Sequence, residues 1–423
     1  MNTLQSAVGR RIYYGWVVVA VAVMLSLVMW GVRSAPSVLI KPLEADFGWS
    51  RAEISSAIAI GLVMTAFSAI AGGVLIDRYS MRVIMLGILV LGGISVALAS
   101  TMTALWQMTV LWGILVGIAT GISGVLGASL AARWFVEKRG LIQGILGAGT
   151  SAGQLIFLPV MTWLVVQFGW RDATLILAVI ALAFIPIVFL FMRDNPADVG
   201  LLPYGASEEL PPPVRPPLGF VLGRVRRVPD FCLLAGSFFI CGATSNGLIG
   251  QHFQAHAIDH GMTEYVASTA FAIMGGLNFV GVLASGYFTD KYDPRRLLMI
   301  YYTFRGISLF FLPMLTDFGL SGLTFFSILY GLDWIATVPP TMTLCAQLFG
   351  RRNVGTVYGF VFGAHQLGAA AAAFGAGYIH DALGNYTWAF LSGGIMCLVG
   401  GALAMRIDRT ASWEASLAMS PAD

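Results

Sequence analysis

The chain has 423 residues, of which 57% are hydrophobic and only 11% charged, with a formal net charge of +3. A soluble domain carries about 25% charged residues, so this composition, with a mean hydropathy of +0.81, excludes a soluble enzyme or a soluble binding module. Apolar stretches of about 20 residues, each long enough to cross a roughly 30 Å hydrocarbon core as a helix, recur along nearly the whole chain.

Twelve spans are expected, near residues 14–39, 52–76, 82–101, 106–132, 141–166, 172–192, 231–256, 265–289, 297–316, 320–347, 354–379 and 386–406. The fold class they predict is an all-α membrane protein in two six-helix bundles. The first span follows Arg10 and Arg11 and is too long for the apolar region of a signal peptide, so it reads as a retained helix.

Basic loop residues are held on the cytoplasmic side of a membrane. With the N-terminus inside, only Lys41, Arg51 and Arg171 of the 24 Lys and Arg fall outside, and Arg33 and Arg305 lie within spans. The remainder, including Arg78, Arg82, Arg133, Lys138, Arg139, Arg295, Arg351 and Arg352, face the cytoplasm. This pattern predicts a multi-pass inner-membrane chain with both termini cytoplasmic, and it accounts for the positive charge without nucleic acid. Cys232, Cys241, Cys345 and Cys397 all fall in spans, form no CxxC pair and read as small buried apolar groups.

The longest polar interruption, 193–230, contains Pro211, Pro212, Pro213, Pro216 and Pro217 and reads as a cytoplasmic linker between an N-terminal half, 1–192, and a C-terminal half, 231–408, with a cytoplasmic tail at 409–423. The halves repeat at a spacing of about 213 to 215 residues. Gly73, Asp77 and Arg82 recur as Gly286, Asp290 and Arg295; Gly140, Gly144 and Gly153 recur as Gly355, Gly359 and Gly368. Repeated halves place a substrate site between them near the bilayer midplane, reached alternately from each side.

The pattern from Gly73 to Arg82, with Asp77 and Arg78 inside it, resembles the signature loop of the major facilitator superfamily, and the second copy, Gly286, Asp290, Lys291 and Arg295, stands where that superfamily repeats it. Asp77 and Asp290 with the loop arginines would form charge latches at helix ends. Within the superfamily, Tyr14-Gly15-Trp16, Lys41-Pro42-Leu43, Phe47-Gly48-Trp49-Ser50, the run Ala131 to Gly153 and Gly169-Trp170-Arg171 resemble the monocarboxylate porters and oxalate:formate antiporters. The resemblance implies a secondary active transporter working by alternating access. It departs from the proton-coupled members in the fourth span, where Trp112 and Gly113 replace an expected arginine. It departs from the animal carriers in the eighth, where Gly276, Leu277, Asn278 and Val282 replace an aspartate and an arginine.

An ionisable side chain within a span costs about 2.5 to 3.5 kcal/mol on insertion scales, which makes Arg33, Arg305 and Asp333 functional candidates. A guanidinium offers two parallel donors to a carboxylate, and Arg33 lies within one residue of where the monocarboxylate porters carry a substrate-engaging basic residue. Asn246 is its repeat partner. Asp333, midway along the tenth span, could exchange a proton or form a structural ion pair with Arg305. His365 and Gln366 in the eleventh span, with Asn278, complete the candidate substrate site. His252, His256 and His260 share one helical face, with the last two expected at the outer surface; His252 and His256 supply an alternative reading as a metal, metallophore or drug carrier. A transporter-like sensor without flux is the other alternative. No P-loop or hydrolytic constellation is present, no cofactor is expected, and the reading is of a monomer that moves a small organic anion, a carboxylate, with protons.

Overall fold

The computed structural model describes residues 13–137, 139–206, 228–349 and 354–408. The Pro-rich part of the expected linker, the tail 409–423, Arg10, Arg11, Lys138, Arg351 and Arg352 therefore lie outside the described residues. In chain order the helices are α1 (Gly15–Phe47), α2 (Arg51–Arg78), α3 (Met81–Ala99), α4 (Leu105–Met108), α5 (Gly117–Trp134), α6 (Arg139–Ala183), α7 (Ile185–Phe191), α8 (Pro229–Gly242), α9 (Gly250–Asp259), α10 (Glu264–Lys291), α11 (Pro294–Asp317), α12 (Gly319–Asp333), α13 (Val338–Phe349), α14 (Val354–Leu383) and α15 (Thr387–Met405). With no water in a bilayer core to bond N–H and C=O groups, a helix is the spanning form that satisfies its own backbone.

Eleven stretches among the described residues are long and apolar enough to cross a membrane. One of them, Leu155–Phe191, passes through Gly169, whose φ of 82° and ψ of 163° interrupt α6. The expected fifth and sixth spans are the two arms of this interrupted stretch, and dividing it there recovers twelve. Trp170 and Arg171, just past the break, donate to Asp46 at the end of α1 at 2.7 and 3.1 Å, which anchors the corner.

Several spans are not uniform α-helix. Thr109–Val116 joins α4 to α5 as a π-helical segment, and Ala243–Ile249 does the same between α8 and α9. The tenth span is interrupted between α12 and α13. Pro36 lies inside α1, where it has no N–H for the Val32 carbonyl one turn back. Trp112, in the first π segment, donates its indole N–H to that carbonyl at 3.3 Å.

The interruption of the tenth span is tied to its neighbours by side chains. Asn278 of α10, 1% exposed, accepts from the Ile335 amide at 3.1 Å. Arg305 of α11 bonds the Asp333 carboxylate at 2.7 Å and the carbonyls of Asp333 and Trp334 at 2.7 and 3.0 Å. Both ionised groups are essentially inaccessible, at 0% and 3% exposed. The Asn278 carbonyl oxygen thus serves a backbone amide of the interrupted helix.

Between the halves, α2 packs along α14, α6 along α10, and α1 against α9. A Cβ at Gly377 of α14 would strike the Arg51 carbonyl and Ser55 of α2, so this crossing requires the missing side chain. Gly286, by contrast, faces open space.

Breaking a buried ion pair by removing one partner costs about 3–5 kcal/mol, whereas an apolar replacement of both can be neutral. Asp333→Leu is thus expected to lower the thermal stability of the purified protein more than the double variant Arg305→Met/Asp333→Leu does. Equal or greater destabilisation of the double variant, read by thermal unfolding in detergent, would contradict this account.

Candidate functional site

Arg33 sits midway along α1 and half-buried, at a small cavity of about 30 Å³ also lined by Pro36, Ile58, Leu62, Val116 and Gln251. Its guanidinium makes one described hydrogen bond, to Gln366 Oε1 at 3.4 Å, and no ion pair among the described residues. That bond crosses from the first half to the second. Gln366 Oε1 also lies 3.1 Å from His365 Nδ1. An oxygen that already accepts from Arg33 assigns the imidazole N–H to Nδ1 in this contact. The three expected residues Arg33, His365 and Gln366 are thus brought together.

The helices make this meeting possible at a specific place. A Cβ at Gly242, where α8 gives way to the π segment, would overlap the His365 carbonyl, and one at Gly368 would overlap the Phe239 carbonyl. The two glycines let α8 and α14 approach closely enough to set His365, 6% exposed, against Phe238 with ring centroids 4.7 Å apart. Cys241, next to Gly242, has its Sγ 3.2 Å from Arg305 Nη1 and 3.1 Å from Thr337 Oγ1. Two hydrogen-bonded groups therefore meet at this close approach: Arg33, Gln366 and His365 in one, and Cys241, Arg305 and Asp333 in the other. The apolar reading of the cysteines is corrected on two counts: Cys241 hydrogen bonds to Arg305 and Thr337, and Cys232 is exposed.

Other expected residues lie elsewhere. Asn246 is in the π segment of the seventh span, off the cavity lining; its carbonyl accepts from Gln251 Nε2 at 3.3 Å. His252 is fully buried, with Nε2 2.8 Å from the Ala373 carbonyl and Nδ1 3.1 Å from the Tyr386 hydroxyl. His256 is 1% exposed and contacts Thr316 Oγ1 at 3.0 Å. The expectation that His256 is solvated fails because α9 is covered by α14 and the Tyr386–Phe390 turn; of the three, only His260 is exposed. Among the described residues, no group of three or more His, Cys, Asp or Glu side chains could hold a metal ion.

Of the signature loops, the side chains of Gly73, Asp77 and Arg78 lie outside what the structure describes. Arg82 donates to the Phe189 carbonyl and stacks 4.5 Å from that ring, while its amide donates to Asp194 at 2.9 Å. Arg295 pairs with Asp293 at 2.9 Å and reaches the Ile407 carbonyl at 2.7 Å. Lys291 turns to Tyr287, and Asp290 is exposed. In the conformation seen, the second loop is held by Asp293 and not by Asp290.

The charges that do join the halves cluster at the opposite end of the bundle, and sequence reading passed over them as loop residues. Arg51, 2% exposed, engages both oxygens of Asp259, the Nη2 contact at 2.8 Å, and also bonds Glu44 at 3.3 Å and the Tyr386 hydroxyl at 3.1 Å. Lys41 reaches Asp259 at 2.5 Å, and His380 lies 3.5 Å from it. Asp381 accepts from the Arg51 and Ala52 amides at 3.2 and 2.8 Å, so a carboxylate of the second half caps the positive end of α2. The only sequence signal was an arginine at the first position of a capped span.

Residues 19–373 match the Major Facilitator Superfamily. Monocarboxylate transporter 13 of Bos taurus is 24% identical over 396 residues, covering 93% of this chain and 89% of that protein. The oxalate:formate antiporter of Oxalobacter formigenes is 24% identical over 400 residues, covering 92% and 90%. Among solved structures, a bacterial homologue of the human lysosomal transporter Spinster, inward-facing and unoccupied, superposes with a TM-score of 0.75 at 14% identity, covering 98% of this chain and all of that one. A D-xylose-proton symporter superposes at 0.74 with 16% identity, covering 94% and 99%. The chain belongs to the major facilitator superfamily and is a multi-pass membrane transporter similar to the monocarboxylate transporters and the oxalate:formate antiporter.

Proposed function

We propose that the chain carries a small organic anion, a carboxylate, together with protons across a cell's inner membrane by alternating access. The observation that carries this reading is Arg33: a guanidinium within a span, at a cavity between the halves, whose described bonding is one contact of 3.4 Å. Five N–H donors and a full charge so poorly matched require an anion. No Asp or Glu is among the described residues that line that cavity, which favours an anion supplied from outside the protein. The names of the monocarboxylate and oxalate:formate relatives support the same chemistry.

In this scheme Arg33 orients the carboxylate and Gln366 holds the guanidinium between turnovers. His365, or Asp333 with Arg305, exchanges the proton. The close approach of α8 to α14, with Cys241 on one and His365 on the other, supports coupling between them, and Asp333 Oδ1 is buried without a described partner. With both termini cytoplasmic, the Arg51–Asp259 cluster is an outer gate, closed in this conformation, and the Asp77 and Asp290 loops are latches of the inner gate.

Arg33→Ala is expected to weaken carboxylate binding by about tenfold to a hundredfold or more, since charge-assisted hydrogen bonds contribute roughly 1.5 to 3 kcal/mol at about 1.4 kcal/mol per decade. Arg33→Lys retains the charge and loses the fork, so an intermediate loss is expected. Equilibrium binding of a carboxylate panel decides this; wild-type affinity in Arg33→Ala would remove the anionic reading. Uptake into liposomes with and without a pH gradient tests the proton.

For the gate, Arg51→Gln or Asp259→Asn is expected to slow transport severalfold while leaving equilibrium affinity within a few-fold, because the cluster acts on conformational exchange. The exchanged pair Arg51→Asp/Asp259→Arg should recover part of the rate. Loss of affinity with normal turnover would instead place these residues in the binding site.

A further inference from the structure

We infer that Gln251 selects carboxylates that also carry a hydroxyl group, by accepting a hydrogen bond from that hydroxyl while Arg33 holds the carboxylate. The inference rests on the anionic reading of Arg33 and adds a specificity determinant to the same cavity.

Gln251 stands one residue inside α9, just after the π segment Ala243–Ile249. Its Nε2 donates to the Asn246 carbonyl at 3.3 Å. That bond assigns the amide: turning it over would press Oε1 against a carbonyl oxygen, two acceptors without a proton between them. Oε1 is therefore the remaining group, and it is a pure acceptor. It is buried and has no partner among the described residues, on a residue 8% exposed. A buried acceptor left unpaired is costly, so a donor belongs beside it.

The cavity supplies none. Of its other polar lining groups, Thr65 and Thr120 are 3.3 Å from one another and already bonded to the carbonyls of Gly61, Val116 and Gly117. Trp112 spends its N–H on Val32. Arg33 is a donor, but its described bond goes to Gln366. What remains is a cation at one part of the wall, Gln251 at another with its Oε1 closed off in this conformation, and apolar surface from Pro36, Ile58, Leu62 and Val116. The complementary ligand has a carboxylate, a short apolar body and a donor. An ammonium donor is disfavoured because the cavity already holds a guanidinium and no acidic side chain, which leaves a hydroxyl. The volume of about 30 Å³ in this conformation admits only a molecule or so of water, so the ligand is small and enters with widening of the cavity.

The test compares acids that differ only in the hydroxyl, glycolate against acetate and lactate against propionate, with alanine as the ammonium counterpart, by equilibrium binding to the purified full-length protein. Wild type is expected to bind each hydroxy acid about tenfold more tightly than its partner and alanine more weakly than lactate. In Gln251→Leu the ratio within each pair should fall to near one. Equal binding of the pairs by wild type would overturn the inference, with Gln251 then satisfied by cavity water. So would a hydroxyl preference that survives Gln251→Leu. If wild type binds the acids and Arg33→Ala does not, the anionic reading stands whatever the pair ratios; if wild type binds none of them, that reading falls and this one with it. The wild-type comparison needs no variant, so misfolding of Gln251→Leu would not shelter the proposal.

Discussion

A bilayer core solvates neither a backbone amide nor a charge, and the internal organisation of this protein follows from how that debt is met. At four departures from regular α-helix, a polar side chain bonds backbone groups at the site of the departure. Trp112 takes the Val32 carbonyl that Pro36 leaves open. Thr65, Ser68 and Thr120 converge on the Gly117 carbonyl at the end of the first π segment. Tyr330 donates to the Thr244 carbonyl within the second at 2.8 Å, and Gln251 donates to Asn246. Asn278 and Arg305 serve the interrupted tenth span. The irregular stretches are affordable in a membrane only because of these bonds.

The same accounting separates two arginines within spans that look alike in the sequence. Arg305 has a carboxylate, two carbonyls and a thiol arranged around it, so its charge is consumed inside the second half. Arg33 has one long bond to an amide oxygen of the other half. Each charge-assisted hydrogen bond is worth roughly 1.5 to 3 kcal/mol, so the difference in satisfaction between the two sites is several kcal/mol. An arginine in the first situation fixes structure; one in the second is left to bind what the protein does not contain.

The fold was legible because hydrophobic length and the placement of basic residues report directly on a membrane. So was the placement of Arg33 within a span, which needed only its position in the sequence. Legibility failed where a residue's role depends on a partner far along the chain. Arg51 reads as a loop charge until Asp259, 208 positions away, closes on it. Asn278 reads as a cavity amide until the tenth span is seen to be interrupted opposite it. His256 reads as solvated because periodicity gives its face and not the helix that covers that face. Gly169 carries a turn signal in Gly169-Trp170-Arg171, and there the sequence and the backbone agree.

The arrangement also suggests how a site near the midplane and a gate at one end act together. Three helices carry both. On α1, Arg33 is eight residues, about 12 Å at 1.5 Å per residue, from Lys41, which holds Asp259. On α9, Gln251 stands the same eight residues from Asp259 itself. On α14, His365 and Gln366 share a helix with His380, which contacts Asp259, and with Asp381, which engages Arg51 and Ala52 of the first half. Any ligand that changes the distance between Arg33 and Gln366 acts on the two helices whose far ends are pinned across the halves by Lys41, Arg51 and Asp381. Neither gate residue needs to touch the ligand. Because the pins and the site belong to the same helices, differential affinity for a wider or narrower site becomes a bias on the closed cluster, which is the only way a ligand can move such an equilibrium.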